Sequence, residues 1–279
     1  MKNIEFLRCP ICKAELEFDQ SSFKCCGTAE KRHCFDIAAS GYADLSYRNG
    51  GGGDPKDAVT DRTLFLDRGY YQPLAEEIIR LSRKHKPISP VIIDAGCGEG
   101  YYSDMIASFV KGAYLLGFDL SKHAVKKASA RRNVRGGDDC FYAVASVFDL
   151  PVVDSCADIL VSMFAPIAEA EAMRVLKNDG VIIIGAAASG HLYELKEAIY
   201  DEVRLNEERV DLPSNMAFAE KTNVRYLIDI NDKEDIKRLF GMTPYRFRTS
   251  EASYNRLLAL EKLSVSIDVD FYVYKNICP

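Results

Sequence analysis

The 279-residue sequence predicts an α/β fold, in which a doubly wound parallel sheet follows a small metal-binding module. After Pro90, apolar runs alternate with stretches of helical periodicity, as in a parallel sheet covered on both faces. The first run ends in a turn of alternating glycines, and five of the nine cysteines lie within the first 34 residues. We therefore expect a metal-binding module over residues 1–38, a glycine-rich linker over 39–56 and the α/β domain over 57–279.

The N-terminal cysteines have the spacing of a structural zinc site. Cys9 and Cys12 on one tight turn form the usual first half of a tetrahedral site. The preferred ligands are Cys9, Cys12, Cys25 and His33. Cys26 is the alternative to Cys25, and Cys34 is the alternative to His33. Four protein ligands leave no open coordination position, so we expect the metal to be structural. It would hold the module together, because the apolar stretches of the module are too short to form a core alone.

The segment after the module predicts a linker followed by two helices. Residues 49–55, with four consecutive glycines, have almost no side chains to pack and are typical of a flexible linker or mobile loop. Residues 57–84 carry apolar positions at helical spacing, and Pro73 marks the start of a second helix.

The α/β domain is predicted to wind strands and helices alternately, with right-handed crossovers. Strands are predicted over 91–95, 114–118, 140–144, 159–163 and 181–187, with helices over 102–110 and 122–131. Beyond residue 191 we expect helices over 192–205 and 232–240 and closing strands over 245–248 and 267–275. The last strand alternates apolar and polar residues, which is typical of an antiparallel strand with one wetter face.

The turn after the first strand of this domain indicates a nucleotide-like cofactor. The segment Asp94-Ala95-Gly96-Cys97-Gly98-Glu99-Gly100 lets a ligand lie against bare backbone at a helix N-terminus. A dinucleotide fold uses G-x-G-x-x-G, but Tyr101 stands where its third glycine belongs. The spacing instead resembles motif I of the class I S-adenosylmethionine methyltransferases. Asp119, which closes the next apolar run, is placed to accept both ribose hydroxyls.

The composition limits the partners of the chain. Hydrophobic residues make up 48% of it, the formal net charge is −5, and no apolar run approaches the roughly 20 residues of a membrane span. We therefore expect no membrane contact and, without a secretory signal, a cytoplasmic protein. Because the net charge is acidic, any RNA contact must be made by local groups of basic residues. Of the two such groups, the one with helical spacing is interpreted as a solvated helix face. These groups are Lys31, Arg32 and His33, and the run Lys122, Lys126, Lys127, Arg131, Arg132 and Arg135.

Over nearly its whole length the chain resembles the bacterial RlmA-type 23S rRNA guanine-N1 methyltransferases. The Cys/His module, the linker motif Asp54-Pro55-x-Asp57 and the glycine loop come in the same order. Further matching segments are Phe65-Leu66-Asp67-x-Gly69-x-Tyr71-x-Pro73-Leu74, Ala165-Pro166, His191-Leu192-x-Glu194-Leu195-Lys196, Ile199-Tyr200-x-Glu202-Val203, Met242-Thr243-Pro244 and Asp270-Phe271.

The resemblance implies particular roles for residues of this chain. It implies zinc on the preferred cysteine and histidine set, although the Cys25-Cys26 doublet departs from the family pattern and leaves the third ligand open. It also implies S-adenosylmethionine contacts at Tyr71, Gly98, Glu99 and His191. The ribose carboxylate would be Asp119, and Ser146 follows the third strand where class I enzymes contact adenine. The complete expected cofactor set is Tyr71, Asp94, Gly96, Gly98, Glu99, Gly100, Asp119, Ser146 and His191.

The activity implied is methylation of guanine N1 in a hairpin loop of 23S rRNA. N1 lies on the Watson–Crick edge and carries a proton, so the base must be unpaired and the proton must leave. No residue is assigned as general base. His191 is a candidate by its chemistry, although its expected cofactor contact competes with that role, and Glu99 is expected instead to bind the methionine end. Phe164 can stack on the base. The alternatives are a class I methyltransferase of a small molecule or protein, and a zinc-dependent RNA-binding protein with a lost cofactor pocket. The resemblance also implies a possible homodimer, and it does not choose the guanine.

Overall fold

The computed structural model describes residues 4–27, 32–47, 52–207 and 213–277. The N-terminal strands form a small antiparallel sheet with the second strand in the centre. They are β1 (Leu16–Asp19), β2 (Ser22–Cys25) and β3 (Cys34–Asp36).

Eight helices and eight further strands follow in the described residues. In chain order they are β4 (Ala43–Asp44), α1 (Lys56–Leu66), α2 (Gln72–His85), β5 (Val91–Ala95), α3 (Tyr101–Phe109), β6 (Tyr114–Asp119), α4 (Lys122–Arg135), β7 (Cys140–Val144), β8 (Ala157–Met163), α5 (Glu169–Val175), β9 (Leu176–Ala187), α6 (Tyr193–Ile199), β10 (Ala217–Ile230), α7 (Lys233–Gly241), α8 (Glu251–Leu258) and β11 (Leu263–Lys275). Short 3-10 helices cover Ile4–Phe6 and Pro244–Phe247.

The main sheet has the strand order β10-β11-β9-β8-β5-β6-β7-β4. The strands from β9 to β4 are parallel, and β11 runs antiparallel to both β9 and β10. This confirms the predicted doubly wound α/β fold. Strand order reverses between β5 and β8, and in such sheets the crevice at the carboxyl ends of the strands beside this switch point is the usual ligand site.

One face of the sheet is covered by helices, and the N-terminal module packs on the other. Side chains of α2, α3 and α4 share one core cluster with the sheet, whereas the N-terminal module packs in the cluster on the opposite face. The ring of Phe23 meets Phe141 edge-on at 5.5 Å between centroids, and Leu7 forms an antiparallel bridge with Val152. No helix connects β7 to β8, so the module occupies the face that a crossover helix would cover.

Several predicted elements differ from the structure beyond residue 191. The helix predicted over 192–205 ends at Ile199, because Tyr200 takes an extended conformation. The predicted strand over 245–248 is wrong, since Pro244, whose ring restricts φ, begins a 3-10 helix there. Sequence reasoning missed β10, although Val224, Tyr226 and Ile228 alternate as a strand should.

The last strand is antiparallel as predicted, but it has no wet face. It lies between β9 and β10, so its polar residues are largely covered. Asp268, for example, is only 5% exposed. The missed strand β10 supplies the outer neighbour that removes the predicted exposure.

The domain boundaries remain a prediction. Part of the expected linker, residues 48–51, lies outside the described residues. Within the same range, Ala43–Asp44 forms β4 and pairs with β7 at the edge of the main sheet. Gly53 passes so close to residue 121 that an added Cβ would lie 2.6 Å from the Ser121 nitrogen. The end of the linker is therefore held against the residues that follow Asp119.

Candidate functional site

The predicted zinc ligands come together at one end of the N-terminal module. The ligand atoms of Cys9, Cys12, Cys25 and His33 all lie within 4.8 Å of one another. Cys9 and Cys12 lie on one turn, Cys25 ends β2, and His33 directly precedes β3. The pairing of Cys25 with His33, whose carbonyl accepts the Cys25 N–H at 3.0 Å, brings the two halves together. Four such groups at this spacing suit a tetrahedral zinc ion.

The electrostatic surroundings of these thiols differ. Burial raises the pKa of Cys9. Burial also acts to raise the pKa of Cys25, but N–H donors of His33 and Gly27 outweigh it and lower that pKa to about 7. Backbone donors favour the thiolate, which is the form that binds metal. The two alternatives, Cys26 and Cys34, are exposed and lie outside the four-residue group.

The glycine loop between β5 and α3 has the backbone that its sequence predicts. Gly96, Gly98 and Gly100 have φ of 86°, 55° and 82°, a region that side chains disfavour. An added Cβ would also lie 2.6 Å from the Ala165 Cβ at position 96 and 2.7 Å from the Ala128 Cβ at position 100. The loop thus needs glycine for both its conformation and its close packing.

Two carboxylates support this loop from different sides. Asp94 is buried beneath it, where it accepts a hydrogen bond from the Ser103 hydroxyl, and burial raises its pKa to about 7. Asp119 accepts the N–H groups of Gly98 at 3.0 Å and Ser121 at 2.7 Å, and burial raises its pKa. Asp119 therefore joins the end of β6 to the glycine loop, as a ribose-binding carboxylate beside that loop should.

Arg62 on α1 is a site residue that sequence reasoning missed. Its Nε donates to Glu99 Oε2 at 3.0 Å, and its Nη2 donates to Asp54. Glu99 is only 2% exposed, so the guanidinium neutralises a buried carboxylate of the loop. Arg62 lies between two matched segments of the sequence, and nothing in its local pattern distinguishes it from an ordinary helix-surface arginine.

Three aromatic side chains gather at the carboxyl edge of the sheet. The buried rings of Tyr71 and His191 lie 6.3 Å apart between centroids, and Phe164 stacks on His191 at 5.6 Å with 26° between ring planes. Phe164 is 43% exposed and has φ of 53°, an uncommon backbone conformation for an aromatic residue. Ser146 lies on the same edge after β7, where its hydroxyl accepts the Phe148 N–H at 3.2 Å.

His191 is held as a neutral ring that accepts a backbone hydrogen bond. Its Nδ1 accepts the Asp268 N–H at 3.2 Å, so the neutral ring carries its proton on Nε2. Burial lowers the pKa of His191 to about 4. The ring is therefore not a proton acceptor in this arrangement, which argues against His191 as the general base.

This burial predicts a pH dependence of stability. The unfolded chain binds the His191 proton near pH 6.5, whereas the folded chain resists protonation down to about pH 4. The contribution to folding stability is complete above pH 6.5 and is lost as the pH falls towards 4. We expect His191→Gln, whose amide oxygen can still accept the Asp268 N–H, to reduce the loss of stability between these pH values by about 2 kcal/mol.

Urea unfolding at several pH values measures this difference. His123→Gln removes an exposed histidine on α4 and serves as the control. If the free energy of unfolding falls equally with pH in the wild type and in His191→Gln, the pH dependence cannot be assigned to His191.

The basic residues of α4 are mostly committed to the fold. Arg131 bonds Asp67 and the Glu99 carbonyl, and Arg135 bonds Asp104 and Asp139. Arg132 donates to the Cys140 carbonyl. The lysines of the run, Lys122, Lys126 and Lys127, are exposed. The predicted solvated face therefore holds for the three lysines but not for the three arginines. Lys31 of the other basic group lies outside the described residues.

Comparison with known proteins shows what this site belongs to. A family model of a methyltransferase domain matches residues 89–241, more than half of the chain, and a model of the RlmA N-terminal zinc ribbon matches residues 7–46. A 23S rRNA (guanine(748)-N(1))-methyltransferase of Streptomyces fradiae is 32% identical over 70% of this chain and 68% of its own. The chain belongs to the RlmA-type methyltransferase family.

Two further comparisons agree with this membership. YxjB of Bacillus subtilis (strain 168), provisionally named a 23S rRNA (guanine-N(1)-)-methyltransferase, is 28% identical over 97% of both chains. A crystal structure from Galdieria sulphuraria, provisionally named a sarcosine dimethylglycine methyltransferase, superposes with a TM-score of 0.50 over 75% of this chain and 87% of its own. At 15% identity that structure shows the fold alone.

Membership in this family makes the chain an S-adenosylmethionine-dependent enzyme with a zinc-binding N-terminal domain. The predicted cofactors, S-adenosylmethionine and zinc, are thereby confirmed, as is the class of enzyme. In the part of the chain that the structure describes, no helix has the length and apolarity needed to cross a bilayer.

Proposed function

We propose that this enzyme transfers the methyl group of S-adenosylmethionine to N1 of a guanine in a hairpin loop of 23S rRNA. The observation that carries the proposal is the end-to-end similarity to relatives with that printed activity, zinc ribbon included. A methyltransferase of a small molecule or protein would need the catalytic domain but has no evident use for an RlmA ribbon. An RNA-binding protein with a lost pocket is disfavoured by the intact glycine loop and Asp119.

We assign the cofactor to the crevice at the carboxyl ends of β5 and β6. The loop Gly96, Gly98 and Gly100 would bear the methionine part, and Asp119 would hold the ribose hydroxyls. We propose Tyr71, Glu99, Ser146 and His191 as the further contacts, with Asp94 supporting the loop from below. The bound cofactor supplies an electrophilic methyl group, so the chain mainly has to align the guanine and exclude water.

We assign the zinc to Cys9, Cys12, Cys25 and His33, which the fold brings together. Its role is to hold the module against the sheet. The substrate would place the enzyme's work in the cytoplasm, and the possible homodimer remains a prediction that sedimentation velocity can measure.

The direct test is transfer of tritium from labelled S-adenosylmethionine to 23S rRNA from a strain that lacks the modification, followed by separation of the nucleosides. Label in 1-methylguanosine supports the proposal. If the enzyme binds the cofactor but transfers no label to RNA, the proposal of an RNA substrate is overturned, and a methyltransferase of a small molecule or protein is favoured.

Phe164 is proposed to stack on the target base. It is the exposed aromatic ring of the Phe164–His191 stack, and a base stacked on an aromatic side chain gains free energy without base-specific contacts. We expect Phe164→Ala to raise KM for RNA about tenfold or more, while Phe164→Tyr restores it. Steady-state kinetics with a hairpin RNA, together with the Kd for S-adenosylmethionine, provide the measurement.

Phe148→Ala is the matched control, because Phe148 is also an exposed aromatic residue at the carboxyl edge of the sheet. If both alanine variants change KM equally, a general surface effect would replace stacking by Phe164.

A further inference from the structure

A polar cavity of about 230 Å³ lies beside the aromatic stack, and the functions described above do not use it. It opens where β9 ends and where β10 and β11 pair. Its lining residues are Ala187, Ala188, Ser189, Asn223, Arg225, Asp268, Asp270 and Tyr272. Four of these, Asn223, Arg225, Asp268 and Asp270, carry strong hydrogen-bonding groups.

The carboxylates of the cavity are organised by an amide. Asn223 Nδ2 donates to Asp268 Oδ1 and to Asp270 Oδ1, both at 2.9 Å. Asp268 Oδ2 accepts the Gly190 N–H at 3.2 Å, and a Cβ at position 190 would approach that oxygen to 2.9 Å. Asp268 is nearly buried, so its orientation is set by the fold. The result is a pair of acceptors held in place before any ligand arrives.

The charges of the cavity suit an anionic polymer with polar bases. Lys221 pairs with Asp270 at 3.0 Å, and Arg225 forms no hydrogen bond or ion pair with any residue that the structure describes. Lys221 and Arg225 thus lie close to the two acidic groups, and the Glu194 carboxylate also lies within electrostatic reach of Arg225. The guanidinium can still donate to a phosphate.

The cavity shares a wall with the aromatic stack. Asp268 contributes its carboxylate to the cavity and its N–H to His191 Nδ1, and Phe164 stacks on that His191 ring. A nucleotide in the cavity would therefore lie next to a base stacked on Phe164.

We propose that this cavity binds a second RNA base, adjacent to the target guanine, through the exocyclic amino group of that base. This inference rests on the proposed function. Carboxylates accept N–H donors, and a guanine whose Watson–Crick edge met them would have its N1 covered. The target must present N1 to the cofactor, so the occupant is a neighbour and not the target itself. A flanking base recognised in this way would contribute to the choice among guanines in the loop.

The first experiment replaces Asp270 by asparagine, which keeps the shape and removes one full acceptor. With a hairpin RNA, Asp270→Asn is expected to raise KM about tenfold, because one specific base contact is lost, with kcat and the Kd for S-adenosylmethionine within twofold of the wild type. The matched control is Asp229→Asn, which makes the same change on β10 outside the cavity. An unchanged KM for Asp270→Asn overturns the proposal.

The second experiment identifies the base that is bound. Each non-target nucleotide of the loop is replaced in turn by an analogue that lacks the exocyclic amino group, such as inosine for guanosine. At one position the analogue should raise KM about tenfold with the wild type and have no further effect with Asp270→Asn. If the analogue and Asp270→Asn raise KM independently of each other at every position, the proposal is overturned.

The two proposals can fail separately. If the wild type binds the hairpin without methylating it, the proposed activity fails. The effects of the analogues and of Asp270→Asn are then compared through the Kd for the hairpin, measured by fluorescence anisotropy. If the wild type methylates the hairpin but no position is coupled to Asp270, the activity stands and only the base pocket is rejected.

Discussion

Cys25→Ser is expected to lose the zinc, whereas Cys26→Ser is expected to keep it. Cys25 ends a buried strand with its sulfur in the metal-ligand group, while Cys26 is exposed and outside that group. Bound zinc, measured by atomic spectrometry, should fall from about one equivalent to near zero only in the first variant, because a structural site uses all four of its ligands. The pair decides between the two cysteines that the sequence left open.

The loss of zinc should also reach the catalytic domain. A structural zinc ion can contribute about 10 kcal/mol to the folding of a small module, which has little core of its own. Here the module covers one face of the main sheet, with Phe23 on Phe141. We therefore expect Cys25→Ser to expose apolar surface and bind a hydrophobic dye. Retention of full zinc content by Cys25→Ser and its loss in Cys26→Ser would reverse the assignment.

Gly100→Ala is expected to destabilise the fold and abolish detectable cofactor binding. Position 100 has φ of 82°, and an added Cβ would lie 2.7 Å from the Ala128 Cβ and 2.9 Å from the Ala128 Cα. Neither neighbour can rotate away, so α3 or α4 must move. We expect a loss of about 3 kcal/mol in the free energy of unfolding, which combines the strain of a positive φ with that of overpacking.

Gly136→Ala separates these two causes. Position 136 has φ of 74°, but an added Cβ there meets nothing within 4 Å. Only the backbone strain of about 1 kcal/mol should appear, and cofactor binding should be unchanged. Urea unfolding and calorimetric titration with S-adenosylmethionine measure both effects. Equal destabilisation at the two positions would show that packing against Ala128 contributes nothing.

Much of the site could be predicted because local backbone requirements appear directly in the residues. A loop that needs positive φ at three positions calls for glycine at each, and Gly96, Gly98 and Gly100 met that need. A carboxylate at the tip of the next parallel strand lies beside the loop by sheet geometry, which located Asp119. The spacing of Cys9 and Cys12 on one turn likewise predicted a metal site.

Other features depend on contacts between distant parts of the chain. Arg62 acquires its role only when α1 lies over Glu99, and Phe164 only when His191 is placed beneath it. The pattern of β10 was present but unremarkable, and its pairing partner is separated from it by two α-helices and a 3-10 helix. The base pocket combines Asn223 with Asp268 and Asp270 across that same pairing.

The sequence by itself therefore determined the fold class, the glycine loop, the carboxylate beside that loop and the kind of metal centre, because each is specified by adjacent residues and their backbone geometry. The tertiary structure alone decided which cysteine joins His33, which proton state His191 takes and which face the module covers. Those outcomes depend on burial and on long-range hydrogen bonds, and neither exists until the chain has folded.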